Sequence, residues 1–72
     1  MQPAPQATLA DTLRSLRRAA GMSQDALAAA SGITKPTIQN IESGRRSHFR
    51  RTTLRLLAEA LDVPVEQLTD VA

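Results

Sequence analysis

Apolar residues recur along this chain at helical intervals. Leu9, Leu13, Leu16 and Ala20 fall at i, i+4, i+7 and i+11, one face of a helix. Thr8 stands before them as an N-cap, Asp11 lies in the first turn where the helix dipole favours a carboxylate, and Gly21 supplies the left-handed residue that ends the helix. Ser23 caps a second helix, whose Ala26-Leu27-Ala28-Ala29-Ala30 segment has high helix propensity and small side chains, until Ser31-Gly32 stops it. Thr34 caps a third, with Lys35 and Pro36 in its first turn, Ile38 and Ile41 facing inward, and Ser43-Gly44 at its end. After a loop from Arg45 to Arg51, Thr52 or Thr53 is expected to cap a fourth helix with Leu54, Leu57, Ala58 and Leu61 on one face. Pro64 opens a short fifth that ends near Thr69 and is buried through Val65 and Leu68. Val63-Pro64-Val65 is too short and too proline-broken for a strand, so the chain reads as all-α, five short helices joined by tight turns. Residues 1–7, with two prolines and no apolar periodicity, read as a flexible N-terminal arm, and residues 8–72 as the folded domain.

The stretch from Gln24 to Ser43 is the informative one. Two short helices joined by so few residues cross steeply, at about 90–120°. Such a crossing needs a small residue where the axes approach and a residue at ease with positive φ in the turn. Ala28 and Gly32 stand at those two places. With Ile38 and Ile41 turned to the second helix, the third presents Lys35, Pro36, Gln39, Asn40 and Ser43 outward, a short, polar and unpaired set suited to an exposed reading surface.

Composition narrows the function. A chain of 72 residues makes one small domain with an economical core, and 42% hydrophobic with 22% charged residues is a globular composition. There is no cysteine, which excludes disulfides, thiolate metal sites and cysteine nucleophiles. The single histidine, His48, cannot build a multi-histidine cage and reads as a loop residue, so neither metal nor cofactor is expected. No apolar run approaches the ~20 residues of a membrane span and no basic-then-apolar leader opens the chain, which points to a cytoplasmic protein without a membrane partner. Several convergent catalytic groups around a pocket are hard to build at this size, and no spacing marks a nucleophile, so an enzyme is not expected.

Charge is unevenly placed. Of the net +2, residues 35–55 hold six cations against one anion, all but one of the cations arginine, whereas residues 56–72 hold four anions and no cation. A basic middle beside an acidic tail is the footprint of a surface that faces phosphates. Phe49, the one aromatic residue, reads as a lid on the core between helices three and four. Stacking platforms need several aromatics, which disfavours single-stranded nucleic acid as the ligand.

The segment Gln24-Asp25-Ala26-Leu27-Ala28-Ala29-Ala30-Ser31-Gly32-Ile33-Thr34-Lys35-Pro36-Thr37-Ile38-Gln39-Asn40-Ile41-Glu42-Ser43-Gly44 resembles the helix-turn-helix of the phage repressor/Cro family, also called the XRE family. The resemblance runs over residues 9–69, taking in Leu13-Arg14-Ser15-Leu16-Arg17 before the motif and Leu57-Ala58-Glu59-Ala60-Leu61-Asp62-Val63 after it. It implies a compact five-helix, lambda-repressor-like DNA-binding domain with the motif at helices two and three. It also implies that the third helix enters the major groove by its N-terminus. Lys35 then resembles a reader of guanine O6 and N7, and Asn40, one turn on, a reader of adenine N6 and N7. Thr37 and Pro36 would contact a thymine methyl; Pro36 departs from the family, where a hydrogen-bonding residue is frequent. Gln24 is similar to the family glutamine that grips a phosphate and braces the recognition helix. Thr34, Ser43, Arg45, Arg46 and Arg50 would contact phosphates. Arg17 and Glu42 match a pair that the family keeps inside the fold, which assigns them to structure as a partly buried ion pair.

These features lead to a sequence-specific, double-stranded DNA-binding transcriptional regulator, a repressor or autoregulator associated with the nucleoid when bound. A domain this small is expected to read a palindromic operator as a homodimer, through helices four and five and the tail, with Leu56, Val65, Leu68 and Val71 as the candidate self-contact. The alternative from another class is an antitoxin-like or bridging module that grips a partner protein, a toxin or a bridging target, and also binds DNA.

Overall fold

Thr8 Oγ1 accepts the amide of Asp11 at 3.1 Å, and that bond opens α1 (Leu9–Ala19). Ser23 Oγ accepts the amide of Ala26 at 3.0 Å and opens α2 (Gln24–Ser31) in the same way. The computed structural model describes residues 8–45 and 48–71, and among them α3 (Lys35–Glu42), α4 (Arg51–Leu61) and α5 (Glu66–Thr69) complete an all-helical chain. The arm expected over residues 1–7 and the phosphate contact expected of Arg46 lie outside the described residues.

Three boundaries differ from the sequence reading. Ala20, placed on the apolar face of α1 by spacing alone, is the exposed C-cap residue. α4 starts at Arg51 with Arg50 in the N-cap position, so Thr52 and Thr53 sit inside its first turn and neither caps it. The apolar residues around the start account for this. Phe49, one residue before the cap, packs on the core, and Leu54, four residues after it, is buried within the core, the arrangement of a hydrophobic staple. α5 begins at Glu66 rather than Pro64, because the proline leads a tighter turn in which Gln67 N donates to Pro64 O and Leu68 N to Val65 O.

Leu9, Leu13, Leu27, Ile38, Ile41, Leu54, Leu57, Ala58, Leu61 and Leu68 form one aliphatic core. α1 packs on α3 and α5, α2 on α3 and α4, and α4 on α5, so α3 is held from two sides and left free on the third. Leu68 is fully buried, and Val65 and Val71 pack against the same core. Leu68 is therefore excluded from the self-contact expected of it, while Val65 and Val71 stay half-buried. Leu56 is half-buried and stands apart from the core cluster.

Candidate nucleic-acid interface

The turn between α2 and α3 is built on Gly32, whose φ of 76° and ψ of 5° place it in the left-handed region and whose amide donates to Ala28 O. Ser31 Oγ, buried at the end of α2, accepts the amide of Ile33 at 3.1 Å and holds the turn tight. Ala28 packs on the core where the helices approach. Ile38 and Ile41, at most 1% exposed, then fix the rotation of α3 about its axis.

Behind α3 lies a polar lock centred on Glu42, which is only 5% exposed. Arg17 donates through Nε to Glu42 Oε2 at 2.7 Å and through Nη2 to Oε1 at 3.0 Å. Gln24 Nε2 donates to Oε1 at 3.2 Å, and Arg14 Nη2 reaches the main-chain oxygen of Glu42. Arg17 Nη1 donates in addition to Met22 O in the turn that follows α1. Burial pushes the Glu42 carboxyl up; the hydrogen bonds from Arg17 and Gln24, with the charges of Arg17 and Arg14 behind them, outweigh it and hold the group below its ordinary value. The hydrogen bond to Glu42 likewise lifts the Arg17 guanidinium above its ordinary value. The lock joins α1, α2 and the end of α3, so the recognition-like helix cannot rotate without breaking charge-assisted bonds.

On the free side, Pro36, Gln39, Ser43 and Arg45 are exposed and Thr37 and Asn40 half-exposed. The expected edge is present, with one correction: it is not unpaired. Lys35 Nζ lies 3.2 Å from Asp25 Oδ1 and 3.3 Å from Oδ2, because the tight turn brings the first turns of α2 and α3 side by side. Thr34 Oγ1 and Thr37 Oγ1 share a hydrogen bond at 2.9 Å, and Ser43 Oγ donates to Asn40 O. Gln24, assigned to a phosphate as well as to bracing, has its amide donor on Glu42. Arg50 is exposed at the start of α4.

Between α1 and the end of α3 opens a polar groove of about 500 Å³ whose walls include Arg14, Arg18, Gln39, Asn40, Ser43 and Arg45. The sequence reading places Gln39 on the outward face of the third helix but assigns no role to Arg14 or Arg18. The spacing of Arg14 and Arg18, four residues apart on one helix face, was the available signal. Arg17 and Glu42, both on its wall, neutralise each other within the lock, so the groove owes its positive charge to Arg14, Arg18 and Arg45, with Asp11 3.7 Å from Arg14, and among the described residues it has no aromatic wall. Its chemistry suits a solvated anion.

A helix-turn-helix domain model matches residues 8–71. An uncharacterized HTH-type transcriptional regulator of Bacillus subtilis, RghRB, is 43% identical over 60 residues, which cover 83% of this chain and 43% of that protein. The HTH-type transcriptional repressor RghR of the same organism is 38% identical over 58 residues, 81% of this chain and 43% of the relative. The chain thus spans less than half the length of either. Among solved structures, the restriction-modification controller protein C.AhdI of Aeromonas hydrophila is similar with a TM-score of 0.77 and 35% identity, covering 83% of this chain and 89% of that one.

Proposed function

Because the chain belongs to the helix-turn-helix domain family, we propose that it is a sequence-specific regulator of transcription that binds double-stranded DNA as a homodimer on a palindromic operator. The carrying observation is the disposition of α3: Ile38 and Ile41 are buried, while the opposite edge from Lys35 to Ser43 is open to solvent beside an arginine-lined groove. A helix held this way fits a major groove, and the cations beside it fit the flanking phosphates. In this reading Lys35 and Asn40 address base edges and Pro36 and Thr37 the thymine methyl. Thr34, Ser43, Arg45, Arg46 and Arg50 address phosphates, joined by Arg14 and Arg18. Gln24, Arg17 and Glu42 hold the recognition helix in place. The names of the relatives, two transcriptional regulators and a controller protein, support the same reading. Among the described residues no helix is long and apolar enough to cross a membrane, and a cytoplasmic site of action follows from the proposed ligand.

The test is selection from a random duplex library followed by competition binding. The expected product is an inverted repeat with half-sites about 10–10.5 bp apart. Affinity for the selected site no better than for random duplex refutes the proposal. Lys35→Ala is expected to flatten preference at one position of each half-site. Arg45→Ala is expected to weaken all duplexes alike and to reduce the salt slope by about 0.9 per lost phosphate contact.

A further inference from the structure

The only lysine in the chain is bound to the only exposed carboxylate between residues 24 and 55. Glu42, the other acid in that span, is buried and fully engaged. Asp25 and Lys35 are ten residues apart and belong to different helices, so their contact exists only because the Gly32 turn places one first turn beside the other. Both oxygens of Asp25 lie within 3.3 Å of Nζ, and Lys35 keeps 43% of its side chain exposed. An ammonium has three donors and the carboxylate approaches it from one side, which leaves donors free for an incoming acceptor pair.

We infer that Asp25 is a positioning residue for the base-reading lysine, and that through Lys35 it sets how strongly the protein distinguishes guanine-containing sites from random duplex. The inference rests on the reading of α3 as the recognition helix. A lysine on a flexible four-carbon stem, left alone, sweeps a wide arc and is drawn to phosphates, contacts that carry no sequence information. Held by Asp25, its ammonium is placed ahead of binding, so less rotamer freedom is lost when it meets guanine O6 and N7. In that reading the carboxylate, 3.2 Å from Lys35 Nζ, also meets the duplex as a fixed negative charge. It repels backbone phosphates wherever the bases do not repay its approach, which weakens binding to random duplex. An exposed pair of this kind contributes little to folding, so replacing Asp25 tests recognition rather than stability.

The experiment compares wild type, Asp25→Asn, Asp25→Ser, Lys35→Ala and the double variant Asp25→Asn/Lys35→Ala by competition binding. The targets are the selected site, the same site with the guanine at the Lys35 position replaced, and random duplex, each over a range of salt. Both Asp25 variants are expected to bind random duplex about 2- to 5-fold more tightly at low salt, since one repulsive charge is removed. They are expected to lose about 3-fold or more of the discrimination at the guanine position, part of what a good lysine contact provides. In the Lys35→Ala background, Asp25→Asn should leave discrimination at that position unchanged. Full discrimination in both Asp25 variants overturns the inference. So does a change in base preference when Asp25 is replaced in the Lys35→Ala background, which would make Asp25 a reader in its own right. If wild type itself shows no preference among duplexes, the regulator reading fails with it, an outcome distinct from a selective wild type matched by equally selective Asp25 variants.

Discussion

Removing Arg17 leaves the Glu42 carboxylate buried with Gln24 as its remaining side-chain donor. A buried charge that loses its partner costs far more than the pair contributes, so Arg17→Ala is expected to destabilise the fold by about 3 kcal/mol, read from urea unfolding at neutral pH. The pH dependence has a definite sign. Glu42 is held below its ordinary value, so its contribution is full above the unfolded value of about 4.3 and is lost as pH falls through the lower folded one. The stability gap between wild type and Glu42→Gln should therefore be flat above the unfolded value and shrink as pH falls below it; a gap that widens on acidification would show that the carboxylate is not held by these donors. Sequence similarity pointed to the Arg17–Glu42 pair. It did not show that Arg14 would reach the Glu42 main chain from 28 residues away, nor that Asp25 would hold Lys35. Long flexible side chains choose partners by tertiary proximity, and helical spacing carries no record of that.

The helix starts separate what local chemistry fixes from what packing fixes. α1 and α2 begin at hydroxyl caps whose bonds are formed, and both were legible, because the cap and its target amide lie three residues apart. Thr34 occupies the same position before α3 yet makes no capping bond. Its hydroxyl is engaged with Thr37 Oγ1 rather than with the Thr37 amide three residues on, the position capped in α1 and α2, and Pro36 between them has no N–H to offer as a second target. Ser23→Ala should accordingly cost about 1 kcal/mol of stability, the usual value of a hydroxyl cap. Thr34→Ala should cost under about 0.5 kcal/mol, with its effect appearing in DNA affinity instead. Equal losses in chemical denaturation would contradict this account of the uncapped start of α3. α4 shows the opposite balance: two threonines offered caps, but the core-packed Phe49 and the buried Leu54 set the start at Arg51. Apolar burial over a whole turn outweighs one hydroxyl bond, and a sequence scan that ranks caps first places that boundary too late.

The recognition edge is short for the task proposed. Eight helical residues span about 12 Å, which meets only a few base pairs, so selectivity over a genome calls for two copies bound together. The fold restricts where they can meet. Leu68 is enclosed, and Val65 and Val71 are half-buried against the core. Leu56, half-buried on α4 and outside the core cluster, is the apolar side chain of the proposed dimer face least committed to the core. Leu56→Glu is expected to leave the thermal midpoint within about 3 °C of wild type, because little core contact is lost. Sedimentation should shift towards monomer, since a charge at an apolar contact is left desolvated and unpaired. Binding to an isolated half-site should be unchanged, because α3 is untouched. Binding to the full palindrome should fall towards the half-site value, because the second domain no longer arrives tethered at high effective concentration. A Leu56→Glu variant that stays dimeric and holds the full site as tightly as wild type would move the dimer contact away from α4, to a surface that neither spacing nor core packing identifies.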